Sequence, residues 1–258
     1  MMAICLVSVI VSVVYSFSAK AGRSFSPFLR GSPMARIVHW LSCAVLLLIA
    51  ATPTAAATLE VTAYQADGLP VTDAVVTLQG PGSAPAGALK ADMDQRGQRF
   101  APHVLAVHTG TQVRFPNSDN IRHQVYSFSS AKRFELRLYE GTPTDPLLFD
   151  KPGVVVLGCN IHDWMLGYIY VTDDPHFGVS DAQGRVRLEQ LPVGDYHLTL
   201  WHPQLKDMQP LDGGTLHIPA AGLSHRVVLS LEPTSADLPP TPTAFGDAFN
   251  RAARETAQ

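Results

Sequence analysis

Short runs of alternating apolar and polar residues dominate the middle of the chain. Leu59-Glu-Val-Thr-Ala-Tyr and Ala74-Val-Val-Thr-Leu are two such runs, separated by the turn-forming Asp67-Gly-Leu-Pro70. Residues 79–87 are rich in Gly, Pro, Ser and Ala and predict a loop or a boundary. Further strands are predicted at residues 104–107, 112–115, 123–128, 133–138, 154–159 and 167–171, with turn residues such as Thr109-Gly110 and Asp119-Asn120 between several of them. After a break at Thr172-Asp-Asp-Pro175 the alternation resumes through 177–188, 196–201 and 225–231. No stretch sustains a helical period. Short strands at regular spacing predict an all-β sandwich or barrel. From Pro233 the composition turns to Pro, Thr and Ala, which predicts a flexible tail over 233–258, with one helical turn in the weakly amphipathic 245–254.

The N-terminal stretch follows a different pattern. Met34-Ala-Arg-Ile-Val-His-Trp carries a basic residue, an almost wholly apolar segment runs from Leu41 to Ala51, and Ala55-Ala-Ala57 fits a signal-peptidase site. Residues 1–57 are therefore expected to be a leader containing a signal peptide, with Thr58 as the mature start. The earlier apolar run from Met1 to Phe17 is short for a membrane span and is read as lying upstream of a true start at Met34; an uncleaved membrane anchor is the disfavoured alternative. The expected location is periplasmic or otherwise exported.

Setting the leader aside changes the charge. Of 19 basic residues, Lys20, Arg23, Arg30 and Arg36 precede Thr58, and no acidic residue does; the remainder carries 15 basic against 22 acidic residues, a net charge of −7. Such a chain, without a basic run, is a poor match for phosphate backbones, so nucleic acid is not an expected partner. It also lacks a G-x-S-x-G, an H-E-x-x-H and a glycine-rich loop leading into a helix, which argues against an enzyme.

Cys5 and Cys43 fall in the leader, leaving Cys159 alone in the mature chain. An unpaired thiol in an oxidising compartment is either buried or committed to chemistry. Its neighbours point to chemistry. In Gly158-Cys-Asn-Ile-His-Asp-Trp-Met165, a thiolate, an imidazole three residues on and a thioether three further lie at the end of the apolar strand 154–157. Soft sulfur donors with imidazole suit copper better than magnesium or calcium, and zinc has little use for methionine. A fourth donor must come from elsewhere, and His123, at the start of a β-rich run 36 residues earlier, is available.

In this arrangement residues 86–172 resemble the cupredoxins, the small type 1 blue copper proteins of the amicyanin and plastocyanin kind. The C-x2-H-x2-M loop has the amicyanin length, and Phe100-Ala-Pro-His-Val-Leu-Ala-Val-His-Thr-Gly-Thr-Gln-Val-Arg-Phe-Pro-Asn117 is similar to the stretch that precedes the first ligand in that family. The resemblance implies a Greek-key β-sandwich holding one copper ion, with His123, Cys159 and His162 as a trigonal set and Met165 as a long axial ligand. It departs from the family at Gln124, Asn160 and Ile161, where Asn, Ser or Thr, and Pro are usual. The first two of those positions help to tie the ligand loops together, so loop rigidity and potential are open. The remaining histidines beyond the leader, at 103, 108, 176, 197, 202, 217 and 225, form no comparable set.

Two flanking pieces resemble the halves of carboxypeptidase-regulatory-like β-sandwich modules: residues 59–78, with Gly-Leu-Pro-Val-Thr-Asp-Ala-Val-Val-Thr-Leu, and residues 177–201, with Val-Ser-Asp-Ala-Gln-Gly-Arg-Val-Arg-Leu. Each is too short to bury a core alone. The expected organisation is thus a discontinuous second small β-sandwich from 58–85 and 173–232, with the copper segment 86–172 inserted between its halves. The chain is also similar to proteins labelled as methylamine utilisation proteins, a label that implies no substrate. The expected function is an exported one-electron carrier or relay that meets a redox partner protein, with His162 as the electron port and Ile161 and Trp164 around it. The alternative is a copper-handling or partner-docking protein without electron flow.

Overall fold

A computed structural model describes residues 56–232 apart from Ala86, Ala88, Thr144 and Asp163. The expected signal segment up to Ala55 and the tail 233–258 lie outside the described residues. Strands β1 (Ala56–Gln65) and β2 (Val75–Gln79) come first. Ten follow: β3 (Lys90–Asp92), β4 (Asp94–Gln95), β5 (Phe100–Ala101), β6 (Val104–His108), β7 (Thr111–Arg114), β8 (His123–Phe128), β9 (Arg133–Tyr139), β10 (Leu147–Phe149), β11 (Gly153–Gly158) and β12 (Leu166–Thr172). The last are β13 (His176–Val179), β14 (Arg185–Pro192), β15 (Gly194–Trp201), β16 (Leu211–Ile218) and β17 (Leu223–Leu229). The protein is all-β; one 3-10 turn, Lys206–Met208, is the only helical element among the described residues.

The strands form two sandwiches. In the first, β14-β1-β17 faces β13-β2-β15-β16. β1 pairs antiparallel with β14 and parallel with β17, so the start of the described chain is zipped to its end. Alternate residues of β1 point inward: Ala57, Leu59, Val61 and Ala63 are buried and meet Leu78, Leu191, Leu198 and Ile218 in one core. That inward alternation is the period-2 signature of a half-buried strand. β1 begins two residues before the expected mature start, and Ala57 is buried opposite Leu191.

In the second sandwich, the five-stranded sheet β6-β12-β11-β8-β9 faces the smaller sheet β10-β7-β3 and the hairpin β4-β5. Phe115, Val125, Phe149, Val155, Leu157 and Ile169 fill its core. β12 is buried along nearly its whole length because a third cluster covers its other face: Tyr168 and Tyr170 pack with Val75, Val104 and Trp201. Trp201 ends β15 of the first sandwich, and its indole N–H donates to the carbonyl of Met208 (2.9 Å). The outer face of the five-stranded sheet is thereby packed against the first sandwich at its β6–β12 end.

The predicted run 177–188 is two strands in different sheets. Asp181 Oδ1 accepts the amide N–H groups of Gln183 (2.8 Å) and Arg185 (2.9 Å), and Gly184 takes a positive φ of 73°, a tight turn that redirects the chain. β16 carries Asp212-Gly213-Gly214, a sequence of low β-propensity that gives no strand signal. It forms because β15 templates it on one side, with a bulge opposite Leu198 and Thr199. β3, β4, β5 and β10 are only two or three residues long, too short for a periodicity to show.

Candidate metal centre

Cys159 follows directly on β11, and β12 begins at Leu166, so the cysteine loop is the connection of an antiparallel hairpin whose last pair is Gly158 and Leu166. Two turns wind it: the amide of His162 approaches the carbonyl of Cys159 (3.4 Å), and that of Met165 donates to the carbonyl of His162 (2.9 Å). The spacing of three residues between Cys159 and His162 therefore brings those two side chains to the same side of the loop. His123 is the first residue of β8, which meets β11 through the single pair Gly158–Tyr126. A bulge between His123 and Val125 bends the strand at this point, a common way to re-aim one side chain.

The structure brings His123, Cys159 and His162 together. Their donor atoms all lie within 4.8 Å of one another, and this is the one such group of three His, Cys, Asp or Glu residues among the described residues. Cys159 Sγ is 3.9 Å from Nδ1 of His123 and 3.9 Å from Nδ1 of His162. Those separations are long for hydrogen bonds but suit a shared ion. With bonds of about 2.3 Å to sulfur and about 2.0 Å to nitrogen, donors at 120° stand ~3.7 Å apart, whereas at the tetrahedral angle they stand ~3.5 Å apart. The observed spacing is close to either value, and the donor set of one thiolate and two imidazoles fits copper. Met165 is 1% exposed and packs in the same core cluster as Cys159, one residue before β12.

Burial is graded across the site. His123 is fully buried, Cys159 is 2% exposed and His162 is half-buried. Desolvation, with a smaller contribution from the neighbouring His123, holds the imidazole of His162 below its usual pKa, so it is neutral and can offer a lone pair at pH 7. The rings of His123 and His162 have centroids 5.0 Å apart, and Trp164 lies 5.2 Å from His162. Ile161 is 48% exposed beside them, and the indole N–H of Trp164 is buried with no hydrogen-bond partner among the described residues.

The loop before His123 is held by Asn117. Its Nδ2 donates to the carbonyls of Ile121 (2.8 Å) and Tyr139 (3.0 Å), and its Oδ1 accepts the amide of Asp119 (3.1 Å). Gln124 turns outward, its amide donating to Glu135 on β9 (2.8 Å), and Asn160 is exposed. Sequence reasoning overlooked Asp119. Its Oδ2 lies 2.8 Å from Nε2 of His123, on the far side of the ring from Cys159. Burial raises the carboxyl pKa of Asp119, but hydrogen bonds from the Gln98 amide, from His123 and from the Gly97 amide outweigh it and leave the group more acidic than an ordinary aspartate. The one available signal was an acidic residue four places before the candidate ligand.

Several of the other histidines have hydrogen-bonding partners of their own. His103 Nδ1 lies 3.1 Å from Asp73, linking the two sandwiches, and His202 is buried with Nε2 3.1 Å from the carbonyl of Thr72. His197 and His217 pair with Asp212 and Asp195 on the β15–β16 surface.

Fold and site together define an all-β protein with a His–Cys–His cluster, two of its three members buried, at one end of a sandwich. No protein-family model matches the chain, and no curated protein does. Among solved structures it is similar to a Cu-containing nitrite reductase from Thermus scotoductus SA-01, at 27% identity over 35% of this chain and 25% of that one, with a TM-score of 0.31. The chain thus spans about a quarter of the length of that reductase. It is also similar to a purple cupredoxin from Nitrosopumilus maritimus (21% identity, 32% of this chain and 99% of that one, TM-score 0.29) and to a reduced amicyanin variant (17% identity, 38% and 98%, TM-score 0.30).

Proposed function

We propose that this chain is an exported type 1 copper protein that carries single electrons to or from a redox partner protein and is not itself an enzyme. The observation that supports this most directly is the convergence of His123, Cys159 and His162 from two separated stretches of chain, at spacings suited to one shared ion. Bound copper would supply a one-electron Cu(I)/Cu(II) couple. Met165, buried beside Cys159, is the candidate axial donor. A closed set of donors leaves no position for substrate and asks for little rearrangement between the two oxidation states, which favours a carrier.

The chain's own residues account for the rest. His123 and Cys159 are shielded from water, whereas His162 is half-buried, flanked by exposed Ile161 and by Trp164. His162 is thus the contact point for a partner. Export is supported by the leader pattern before Ala57 and by a lone cysteine beyond it.

The test is to add Cu(II) to the purified protein and record the visible spectrum and a voltammogram. An intense blue or purple thiolate-to-copper band, absent in Cys159→Ser, together with a reversible one-electron wave, is expected. A colourless complex, or one that surrenders its copper to a competing chelator without a reversible wave, would instead mark a copper handler and refute the carrier reading.

A further inference from the structure

His123 Nδ1 faces Cys159, and its other ring nitrogen is equally well occupied. Nε2 lies 2.8 Å from Asp119 Oδ2. A carboxylate only accepts, so Nε2 must carry a proton, and in the neutral ring the lone pair is left on Nδ1, where the candidate donors meet. The imidazole is fully buried and the Asp119 side chain is 13% exposed, so water competes little for this bond.

Asp119 is itself held. The amides of Gly97 and Gln98 donate to its two oxygens, to Oδ1 at 2.6 Å and to Oδ2 at 2.9 Å. Those amides belong to the tip of the β4–β5 hairpin, which is closed by the Arg96 amide on the carbonyl of Arg99 (2.9 Å). Both tip residues have positive φ, 61° at Gly97 and 57° at Gln98, the geometry of a type I′ turn. This turn aims two neighbouring N–H groups at one anion. Three donors from two segments therefore converge on one carboxylate, and one of the three is a candidate metal ligand.

We propose that Asp119 is a positioning residue for the metal centre: anchored by the Gly97–Gln98 turn, it fixes the tautomer and orientation of His123 and makes its Nδ1 a stronger donor. The proposal rests on the copper reading of the site and adds a determinant of its potential. The negative charge behind the ring favours the more highly charged metal ion, and so lowers the reduction potential.

Two variants separate charge from geometry. In Asp119→Asn, the amide oxygen placed at the Oδ2 position still accepts from Gln98 and His123, while the new NH2 faces the N–H of exposed Gly97 and the turn tip must shift to relieve two opposed donors, so the charge goes while the ring keeps its acceptor. In Asp119→Ala the acceptor disappears altogether. In the copper-free protein, ¹⁵N NMR of the neutral ring, recorded at a pH where His123 is deprotonated, is expected to show the proton on Nε2, to keep that tautomer in Asp119→Asn and to lose the preference in Asp119→Ala. A wild-type proton on Nδ1 overturns the proposal. In the copper-loaded protein, Asp119→Asn is expected to weaken Cu(II) binding by about 10–100-fold. Every tenfold loss relative to Cu(I) raises the midpoint potential by about 59 mV, and Asp119→Glu should recover part of the change. A merely structural role would lower thermal stability and leave the potential in place, which also overturns the proposal. If the wild type takes up no copper, the carrier reading fails, while the NMR result still decides whether Asp119 orients His123.

Discussion

Gly158 is the point at which the two ligand-bearing segments touch, and adding one methyl group there tests how tightly they are joined. Its backbone pairs with Tyr126 between β11 and β8, and the next residue is Cys159. A Cβ on Gly158 would stand 2.7 Å from Cζ and 2.8 Å from the hydroxyl of Tyr126. Comfortable carbon contacts are about 3.5–4.0 Å, so the ring or the strand must move by ~1 Å. The ring is the easier of the two to displace. It is half-buried on the outer face of the sheet, 5.3 Å from the exposed Phe128, and it borders a surface groove of about 360 Å³. Overpacking a closed core costs about 1–3 kcal/mol, and this escape route places Gly158→Ala in the lower half of that range. For a chain of this size, about 1–2 kcal/mol reads as a fall in Tm of ~2–8 °C. A Tyr126→Ala background removes the obstructing ring, so the loss from Gly158→Ala should largely vanish there, giving a clear coupling energy in a double-mutant cycle by thermal or urea denaturation. Equal losses in both backgrounds would refute the reasoning. The visible spectrum of the copper-loaded variant reports which part moved: an unchanged band means that the ring swung out, and a shifted band means that the Cys159 strand was pushed.

Two further outcomes follow from the packing of the two sandwiches. Burial lowers the pKa of His202 from 6.5 to about 4, so the folded protein disfavours its cation; the stability this represents is complete above pH 6.5 and is lost as pH falls through about 4. Denaturation at pH 7.5 and pH 4.5 should differ by about 2–3 kcal/mol from this group, and the difference should shrink by that amount in His202→Gln. Trp201→Ala deletes a fully buried side chain from the cluster between the sandwiches, so a loss of about 3–5 kcal/mol in urea denaturation is expected, with the spectrum of the folded, Cu(II)-treated fraction unchanged because the indole packs away from the candidate ligands.

The candidate donor cluster was legible in the sequence. A thiolate, an imidazole and a thioether spaced by threes after an apolar strand, with a further histidine opening an earlier strand, single out His123, Cys159, His162 and Met165, and the first three bring their donor atoms together. Strands such as β1, β8 and β15 were legible because each has one buried and one exposed face, which writes a period of two into the residues themselves. β16 was not, because its register and its backbone hydrogen bonds are borrowed from β15 and its Asp212-Gly-Gly214 stretch writes no apolar alternation.

Local alternation and donor chemistry thus belong to the linear chain: all-β character, the short strands and the candidate ligands need only neighbours a few residues apart. Folding settled the non-local matters. Among these are the parallel pairing of β1 with β17, the burial of Trp201 against Tyr168 and Tyr170, and the 3.9 Å spacing around Cys159. Asp119 shows the difference most plainly. It stands four residues from His123 in the chain, yet what orients its carboxylate is a hairpin tip about twenty residues upstream. Closing such a loop brings its reward only when the distant partners already fit, and that fit is a property of the folded whole.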